Sequence, residues 1–293
     1  MKKVIFFIIS LRPKQWIKNI FIFAPLVFSL NFLKFEDVRN SFIAFVLFSL
    51  ITGSIYILND CFDKNYDKKH PKKKNRPIAS EKLSVCFAVS GAIFIIILAL
   101  FIIFNFSKNF FYISTIYIVL NILYSVYLKK VVILDVFIIA TGFVLRVIIG
   151  GVIIKIELSP WILIVTFLLS MFLGFIKRRQ ELIKINYLEA DEDKSRITLK
   201  KYNLSFLDQL ISITTATTLI SYISYVLNPQ VQERLNTKQL YFTVPFVIFG
   251  IFRYLYLTYT KDEGESPEEV IFTDLPFTLN IVIWVFVFIL LIL

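Results

Sequence analysis

The residues of this sequence best suited to chemistry are three aspartates that follow a long apolar stretch. Asp60, Asp63 and Asp67 are spaced i, i+3 and i+7, so a helix through them places all three on one face within about two turns. Asn59 lies four residues before Asp63, on the same side. Carboxylates on one stripe repel one another unless a cation lies between them. Mg²⁺ prefers such oxygen ligands and shares its coordination shell with substrate phosphates, so the spacing predicts that the three aspartates are catalytic metal ligands and that Asn59 contacts the substrate.

A dense basic segment follows the aspartates directly. Its members are Lys68, Lys69, Lys72, Lys73, Lys74 and Arg76. A diphosphate bridged by Mg²⁺ leaves oxygens that lysine and arginine can bind, so Lys73 and Arg76 are predicted to bind substrate. The alternative is a solvated loop whose lysines fix the membrane topology and whose aspartates balance their charge. The helical spacing of the aspartates, and the stiffening of the basic part by Pro71 and Pro77, favour a binding site.

The elements that must position these residues are membrane helices. Of the 293 residues, 57% are hydrophobic, and the mean hydropathy of +0.74 is too high for a soluble globular domain. A spanning helix needs about 20 apolar residues. Windows of that kind lie near residues 17–35, 41–60, 83–104, 109–128, 133–153, 159–177, 206–227, 240–260 and 275–293. The sequence therefore predicts an all-α, polytopic membrane protein with about nine transmembrane helices.

The domain organisation follows from the same windows. We predict one transmembrane helical domain over residues 1–293, with its longest polar connections near 61–82 and 178–205. Two loosely similar halves are an open alternative, because each of these connections combines acidic and basic groups.

The distribution of lysine and arginine predicts the orientation. With nine spans, the side that holds the 61–82 connection carries 24 of the 32 Lys and Arg residues, and the opposite side carries six. Basic residues accumulate on the cytoplasmic side, so the aspartates are predicted to face the cytoplasm from an inner or plasma membrane. The net charge of +11 then reflects topology, anionic membrane lipid and a phosphorylated substrate rather than nucleic acid. Two cysteines and one histidine argue against a disulfide framework and a His-rich metal site.

Three sequence blocks together are typical of a known family. The string NDCFDKNYDKKHPKKKNRPIAS, residues 59–80, resembles the first aspartate-rich motif of the UbiA superfamily of membrane prenyltransferases. Its continuation through HP, a basic stretch and RPIA resembles the decaprenyl-phosphate phosphoribosyltransferase branch. LRPKQWIKNIFIFAPLVFS, residues 11–29, and KRR-x-E, from Lys177 to Glu181, are also typical of that branch. The resemblance covers nearly the whole chain.

The resemblance implies a helical bundle around a cavity that opens to the cytoplasm. It implies that Asp60, Asp63 and Asp67 bind Mg²⁺ and, through it, the pyrophosphate of 5-phosphoribosyl diphosphate. The 5-phosphoribose would be transferred to a polyprenyl phosphate, decaprenyl-like in kind, with release of pyrophosphate. An acceptor phosphate is anionic near neutral pH, which agrees with the lack of an evident general base. Membrane lipid is the other expected partner, and a homo-oligomer is left open.

Further substrate-binding candidates lie at the ends of the predicted spans. The resemblance places Lys14 at the mouth of the cavity, although a basic residue there can also be a topology anchor. In the fourth window, Asn121 and Tyr124 fall on one helix face above Lys129. This segment resembles the Tyr and Lys element of the superfamily near the diphosphate. The alternative for Asn121 is a hydrogen bond between helices.

Charged residues within the fifth and sixth windows complete the candidate set. Asp135 and Arg146 are costly in lipid and need polar partners. Eleven residues of helix separate them by roughly 16 Å, which argues against a direct ion pair. We expect Asp135 to meet the basic cluster or the ribose, and Arg146 to bind substrate or to be structural. Lys177 and Arg178 are predicted to hold a phosphate, with Glu181 orienting an arginine; a stop-transfer cluster is the alternative.

Two questions stay open from the sequence. Asp191, Glu192 and Asp193 only partly match the second acidic motif of the superfamily, so a second metal near them is unsettled. The alternative functions are a UbiA-type aromatic prenyltransferase, which uses a polyprenyl diphosphate to make a quinone or haem precursor, and a membrane transporter. The three family blocks favour the phosphoribosyltransferase, and no pair of spans broken by Gly or Pro supports a transporter.

Overall fold

The protein is helical throughout the part that the structure describes. A computed structural model describes residues 2–69, 73–188, 198–260 and 267–292. Within these ranges the chain forms helices joined by short connections, without a β-strand, which confirms the all-α prediction. In chain order the α-helices are α1 Lys2–Ser10, α2 Ala24–Val27, α3 Phe35–Phe62, α4 Lys64–Lys69, α5 Val85–Phe106, α6 Lys108–Val126, α7 Leu134–Ile153, α8 Pro160–Leu188, α9 Leu204–Leu227, α10 Pro229–Arg234, α11 Val244–Thr260, α12 Pro267–Thr273 and α13 Leu275–Ile292.

Eight of the predicted windows form long apolar helices. Among the described residues, eight helices are long and apolar enough to cross a membrane. Seven of them correspond to α3, α5, α6, α7, α8, α9 and α13. The eighth is α11 together with the 3-10 helix Gln239–Thr243 that precedes it. The prediction of a polytopic membrane protein is confirmed, and the count of nine is approximate because the first window is not a regular α-helix.

The first window runs beside α3 as an irregular segment. Pro13–Phe23 is a 3-10 helix, followed by the short α2. Arg12 contacts Asp60 at one end of α3, whereas the Phe23 ring lies 5.5 Å from that of Phe45, so the segment is antiparallel to α3. Eleven residues at the 3-10 rise and fifteen at the α rise both span roughly 22 Å. Pro13–Phe23 therefore spans the same length as the part of α3 that it faces, residues 45–60, with fewer residues.

Two glycines allow the irregular segment to pack closely. A Cβ at Gly150 in α7 would lie 2.1 Å from the carbonyl oxygen of Ile22, and a Cβ at Gly53 in α3 would lie 2.8 Å from that of Leu11. A side chain at either position would displace backbone rather than a flexible side chain. Backbone that departs from the α-helix is tolerated at membrane depth only where protein covers it, and these contacts provide such cover.

The chain forms two compact units, each with its own core. Unit 1 comprises Met1–Val27, Asn31–Lys129 and Leu145–Glu157, and unit 2 comprises Phe28–Leu30, Lys130–Val144 and Leu158–Leu293. Fully buried residues of unit 1 include Ile22, Phe48, Phe110 and Ile149. Those of unit 2 include Val136, Phe175, Ile176 and Leu207. Helices in lipid associate through close packing and polar contacts rather than through exclusion of water, so the buried polar groups described below matter for the fold.

Candidate functional site

Asp60 and Asp67 form the centre of the candidate site in unit 1. α3 ends at Phe62 and α4 begins at Lys64, but helical hydrogen bonds continue across the junction, from Asp63 N to Asn59 O and from Asp67 N to Asp63 O. Asp60 and Asp67 therefore lie on one face, and only 5% of each side chain is exposed. Arg76 Nη1 donates to both carboxylates, at 3.0 Å to Asp60 Oδ1 and 2.5 Å to Asp67 Oδ2.

Arg12 is a second cation on Asp60, and the sequence reasoning missed it. Its Nη2 donates to the same oxygen, Asp60 Oδ1, that accepts from Arg76. Arg12 has φ 52°, in the left-handed region that few non-glycine residues adopt. Its guanidinium also lies 5.1 Å from the centroid of the Tyr56 ring. The LRPKQW block contained the signal, because Arg12 stands two positions before Lys14, the residue predicted to bind substrate.

Asp63 has a different partner from the other two aspartates. Lys129 Nζ donates to Asp63 Oδ1 at 3.1 Å, and 40% of the Asp63 side chain is exposed. Nearby, the Ser125 hydroxyl donates to Asn59 Oδ1. The structure thus brings together Asn59, the three aspartates, Arg76 and Lys129, which the sequence predicted as one site. Asp60 and Asp67 pair with arginines, whereas Asp63 pairs with Lys129.

A surface ion pair holds α4 against the loop that carries Arg76. Lys68 Nζ lies 2.7 Å and Lys64 Nζ 3.3 Å from Glu81 Oε1. Hydrogen bonds from Lys68 and Lys64 lower the pKa of Glu81, so its carboxylate stays charged at neutral pH. Exposed pairs of this kind contribute little stability, and their role here is to fix a loop position.

The arrangement of Asp60 and Asp67 is compatible with Mg²⁺. Oxygens of the two carboxylates lie within 3.0 Å of one arginine nitrogen, so one cation can be shared by both. Among the described residues, no three acidic, histidine or cysteine side chains form a ready-made metal site. Two carboxylates suffice for an ion that keeps water ligands and takes others from substrate phosphates. The predicted participation of Asp63 as a third ligand stays a prediction.

Four other predicted residues of unit 1 lie in three elements. Lys14 is exposed in the Pro13–Phe23 segment, and Lys73 is half-buried in the turn before Arg76. Asn121 donates to Tyr117 O in its own helix, at 2.8 Å, and Tyr124 is half-buried one turn further on. Their predicted contacts with substrate stay predictions.

The predicted basic cluster of unit 2 is built around a buried arginine. Arg178 Nε donates to Asp135 Oδ2 at 2.7 Å, and its Nη1 donates to Glu181 Oε2 at 2.6 Å. Only 2% of the Arg178 side chain is exposed. Two carboxylates engage the guanidinium, which agrees with the expectations that Asp135 meets a basic residue and that Glu181 orients an arginine.

Tyr202 completes this cluster from the segment before α9. Its hydroxyl accepts from Ile133 N at 2.7 Å and donates to Asp135 Oδ1 at 2.9 Å. Burial raises the pKa of Tyr202, so the phenol keeps the proton that it donates. The contact fixes the start of α7 to the chain that follows α8. No sequence pattern marked Tyr202, because its partners are distant along the chain.

The other basic and acidic residues near the end of α8 have separate surroundings. Lys177 is half-buried in α8, one position before Arg178. Arg179 Nε donates to Asp208 Oδ1 at 2.7 Å and packs over the Tyr259 ring. The predicted acidic cluster at residues 191–193 and the HP dipeptide at residues 70–71 lie outside the described residues.

Arg146 lies in a buried polar cluster within the membrane part of unit 1. Its Nε donates to Asn19 Oδ1 at 2.8 Å, and its Nη2 donates to Tyr117 OH at 3.0 Å. The Asn19 amide donates in turn to Ser49 Oγ and Thr52 Oγ1. The cluster ties the irregular first segment to α3, α6 and α7. Thr52 precedes Asp60 by two helical turns, roughly 12 Å, so this location favours the structural alternative for Arg146.

We expect Arg146→Met to destabilise the protein by about 2–3 kcal/mol, because it removes charge-assisted hydrogen bonds and leaves buried acceptors unsatisfied. The midpoint of thermal unfolding in detergent measures this loss. Arg39→Met, at an exposed position on α3, is the control and should leave the midpoint unchanged. Equal midpoints for the two variants would show that the cluster does not secure the segment.

Comparison with known proteins identifies a family and close relatives. The profile of the UbiA prenyltransferase family matches residues 20–273. A decaprenyl-phosphate phosphoribosyltransferase of Mycolicibacterium smegmatis is 33% identical over 217 residues, which cover 73% of this chain and 67% of that protein. A decaprenyl-phosphate phosphoribosyltransferase of Corynebacterium glutamicum is 31% identical over 283 residues, which cover 94% of this chain and 83% of that protein.

A solved structure shares the fold. The UbiA homolog from Archaeoglobus fulgidus bound to GPP and Mg²⁺ matches with a TM-score of 0.72, over 98% of this chain and 99% of that chain. At 16% identity this likeness concerns the fold alone.

Proposed function

Because the chain belongs to the UbiA prenyltransferase family, as its sequence blocks predicted, we propose that it is a membrane phosphoribosyltransferase. It moves 5-phosphoribose from 5-phosphoribosyl diphosphate to a polyprenyl phosphate and releases pyrophosphate. The observation that carries this proposal is the convergence of Asp60 and Asp67 with Arg12 and Arg76 in one group, beside the Asp63–Lys129 pair. The names of the relatives support the choice of substrates.

The residues of the site have distinct roles in this proposal. Asp60 and Asp67 hold Mg²⁺, which when bound supplies positive charge close to the diphosphate. Arg12, Arg76 and Lys129 bind diphosphate oxygens and hold the leaving group in place. An oxygen of the acceptor phosphate forms a bond to the anomeric carbon as the bond from that carbon to the diphosphate breaks. The acceptor needs no general base because its phosphate is already ionised.

The positions of the charges favour a site at the cytoplasmic face. The site lies where α3 ends, and the large excess of lysine and arginine on that side supports a position at the cytoplasmic face. A water-soluble sugar diphosphate then reaches the site from the cytoplasm, and a polyprenyl phosphate reaches it from the bilayer.

The test incubates purified protein in lipid with 5-phosphoribosyl diphosphate labelled in the ribose, polyprenyl phosphate and Mg²⁺. We expect label in the lipid fraction, and we expect a chelator in excess over Mg²⁺ to abolish the transfer, with recovery when Mg²⁺ is restored. Transfer of a prenyl group from polyprenyl diphosphate to an aromatic acid, without labelling of lipid by ribose, would contradict the proposal and favour an aromatic prenyltransferase. Movement of unchanged substrate across sealed vesicles would favour a transporter.

A further inference from the structure

The carboxylates of the candidate site are already neutralised by side chains of the protein. Asp60 accepts from Arg12 and Arg76, and Asp67 accepts from Arg76. We propose that Arg12 and Arg76 exchange partners during binding, from the carboxylates to the diphosphate, and thereby make the binding of metal and of donor depend on each other. This inference rests on the proposed function. It adds that metal and donor bind cooperatively and that the site selects a metal complex of a diphosphate.

Burial explains why the carboxylates need these partners. Both aspartate side chains are 5% exposed, whereas the Arg12 and Arg76 side chains are 26% and 28% exposed. A buried carboxylate without a cation is strongly unfavourable. The more exposed guanidiniums can turn towards an incoming anion while a second cation takes their place on the carboxylates.

Neither ligand alone completes the exchange. A divalent ion without a diphosphate must displace two guanidiniums and leave them beside a new positive charge. A diphosphate without metal brings negative charge towards two carboxylates that still occupy the arginines. When both arrive, the metal neutralises the carboxylates and the arginines bind the diphosphate oxygens, so every charge keeps a partner. Binding of each ligand therefore strengthens binding of the other by the same factor.

This arrangement also gives the site a means of selection. The free metal ion is held weakly because the arginines compete with it. An anion that carries no metal finds the arginines occupied, and drawing them away would leave Asp60 and Asp67 without a cation. The site thus favours a metal complex of a diphosphate over either component, and we expect the coupling to be about tenfold or more.

The experiment measures binding of Mn²⁺ alone, followed by its paramagnetic resonance signal, to wild type, Arg76→Met and the control Lys82→Met. Lys82 is exposed in the same loop, and its removal changes the net charge equally. We expect Arg76→Met to bind Mn²⁺ at least about fivefold more tightly than wild type, because a competing cation has been removed. Lys82→Met should resemble wild type. Weaker or unchanged Mn²⁺ binding by Arg76→Met would overturn the inference.

The reciprocal measurement follows labelled 5-phosphoribosyl diphosphate by equilibrium dialysis, with Mg²⁺ or with a chelator. Wild type should bind it at least about tenfold more tightly with Mg²⁺, and Arg76→Met should lose most of that difference. Arg12→Met provides an independent variant with the same expected signs, should Arg76→Met fail to fold. A Mg²⁺ effect that stays at the wild-type size in the folded variants would overturn the inference.

These results separate the inference from the proposed function. If ribose is transferred to lipid but the arginine variants keep full coupling, the function stands and the exchange is wrong. If ribose is not transferred, but Mn²⁺ and inorganic pyrophosphate still strengthen each other's binding through Arg76, the exchange stands and the proposed donor is wrong.

Discussion

Asp60→Asn should reduce transfer of ribose to lipid by at least about a hundredfold. Asparagine keeps the shape of the side chain but removes the negative charge that the metal and both guanidiniums require. Asp60 is buried, so solvent ions cannot replace that charge. We expect Asp67→Asn to have a comparable effect, and Asp63→Asn a smaller one, because Asp63 is half-exposed and paired with Lys129. The initial rate of lipid labelling measures all three.

The control for these variants is Glu36→Gln, an exposed position in the first turn of α3. It removes one negative charge from the same helix at its other end and should retain the wild-type rate. The thermal midpoint of Asp60→Asn should stay close to that of wild type, since Asp67 still pairs with Arg76. Full activity of folded Asp60→Asn would refute the metal assignment.

Arg178→Met should cause the largest loss of stability, about 3–5 kcal/mol. Arg178 is buried, and its removal leaves Asp135 and Glu181 without this counter-ion. We expect a sharply lower yield of monodisperse protein in detergent and a lower thermal midpoint. Lys201→Met, at an exposed position in the segment before α9, is the control and should change neither.

A double-variant cycle separates the ion pair from general damage. Asp135→Asn should destabilise the protein alone, but it should add little to Arg178→Met because both variants break the same pair. Strictly additive losses would show that the two side chains act independently, despite the 2.7 Å between them.

The sequence predicted most of the helices because a helix that spans the bilayer needs about 20 apolar residues, and hydropathy detects such stretches. Eight of the nine windows coincide with long helices. The first window had the required hydropathy, but its 3-10 geometry depends on contacts that composition does not encode. These are the approaches to Gly53 and Gly150 and the hydrogen bonds of Asn19 with two hydroxyls and Arg146.

The candidate site was predictable where its residues are near one another in sequence. The spacing of Asp60 and Asp67 placed both on one helix face, and Arg76 follows them closely. Lys129 was identified only through the family resemblance. Arg12 and Tyr202 were missed because their partners are 48 and 67 positions away. Pairing over such distances depends on how helices pack, which a local pattern does not contain.

The shape of the first window limits how the protein can be recombined with its relatives. A polyleucine segment grafted over Pro13–Phe23 would have the required hydropathy. As a regular α-helix, however, it would offer no side-chain amide to Ser49 and would not bring its backbone as close to Gly150. Chimeras should therefore be joined outside residues 11–60, so that this segment and α3 are exchanged together as one matched pair.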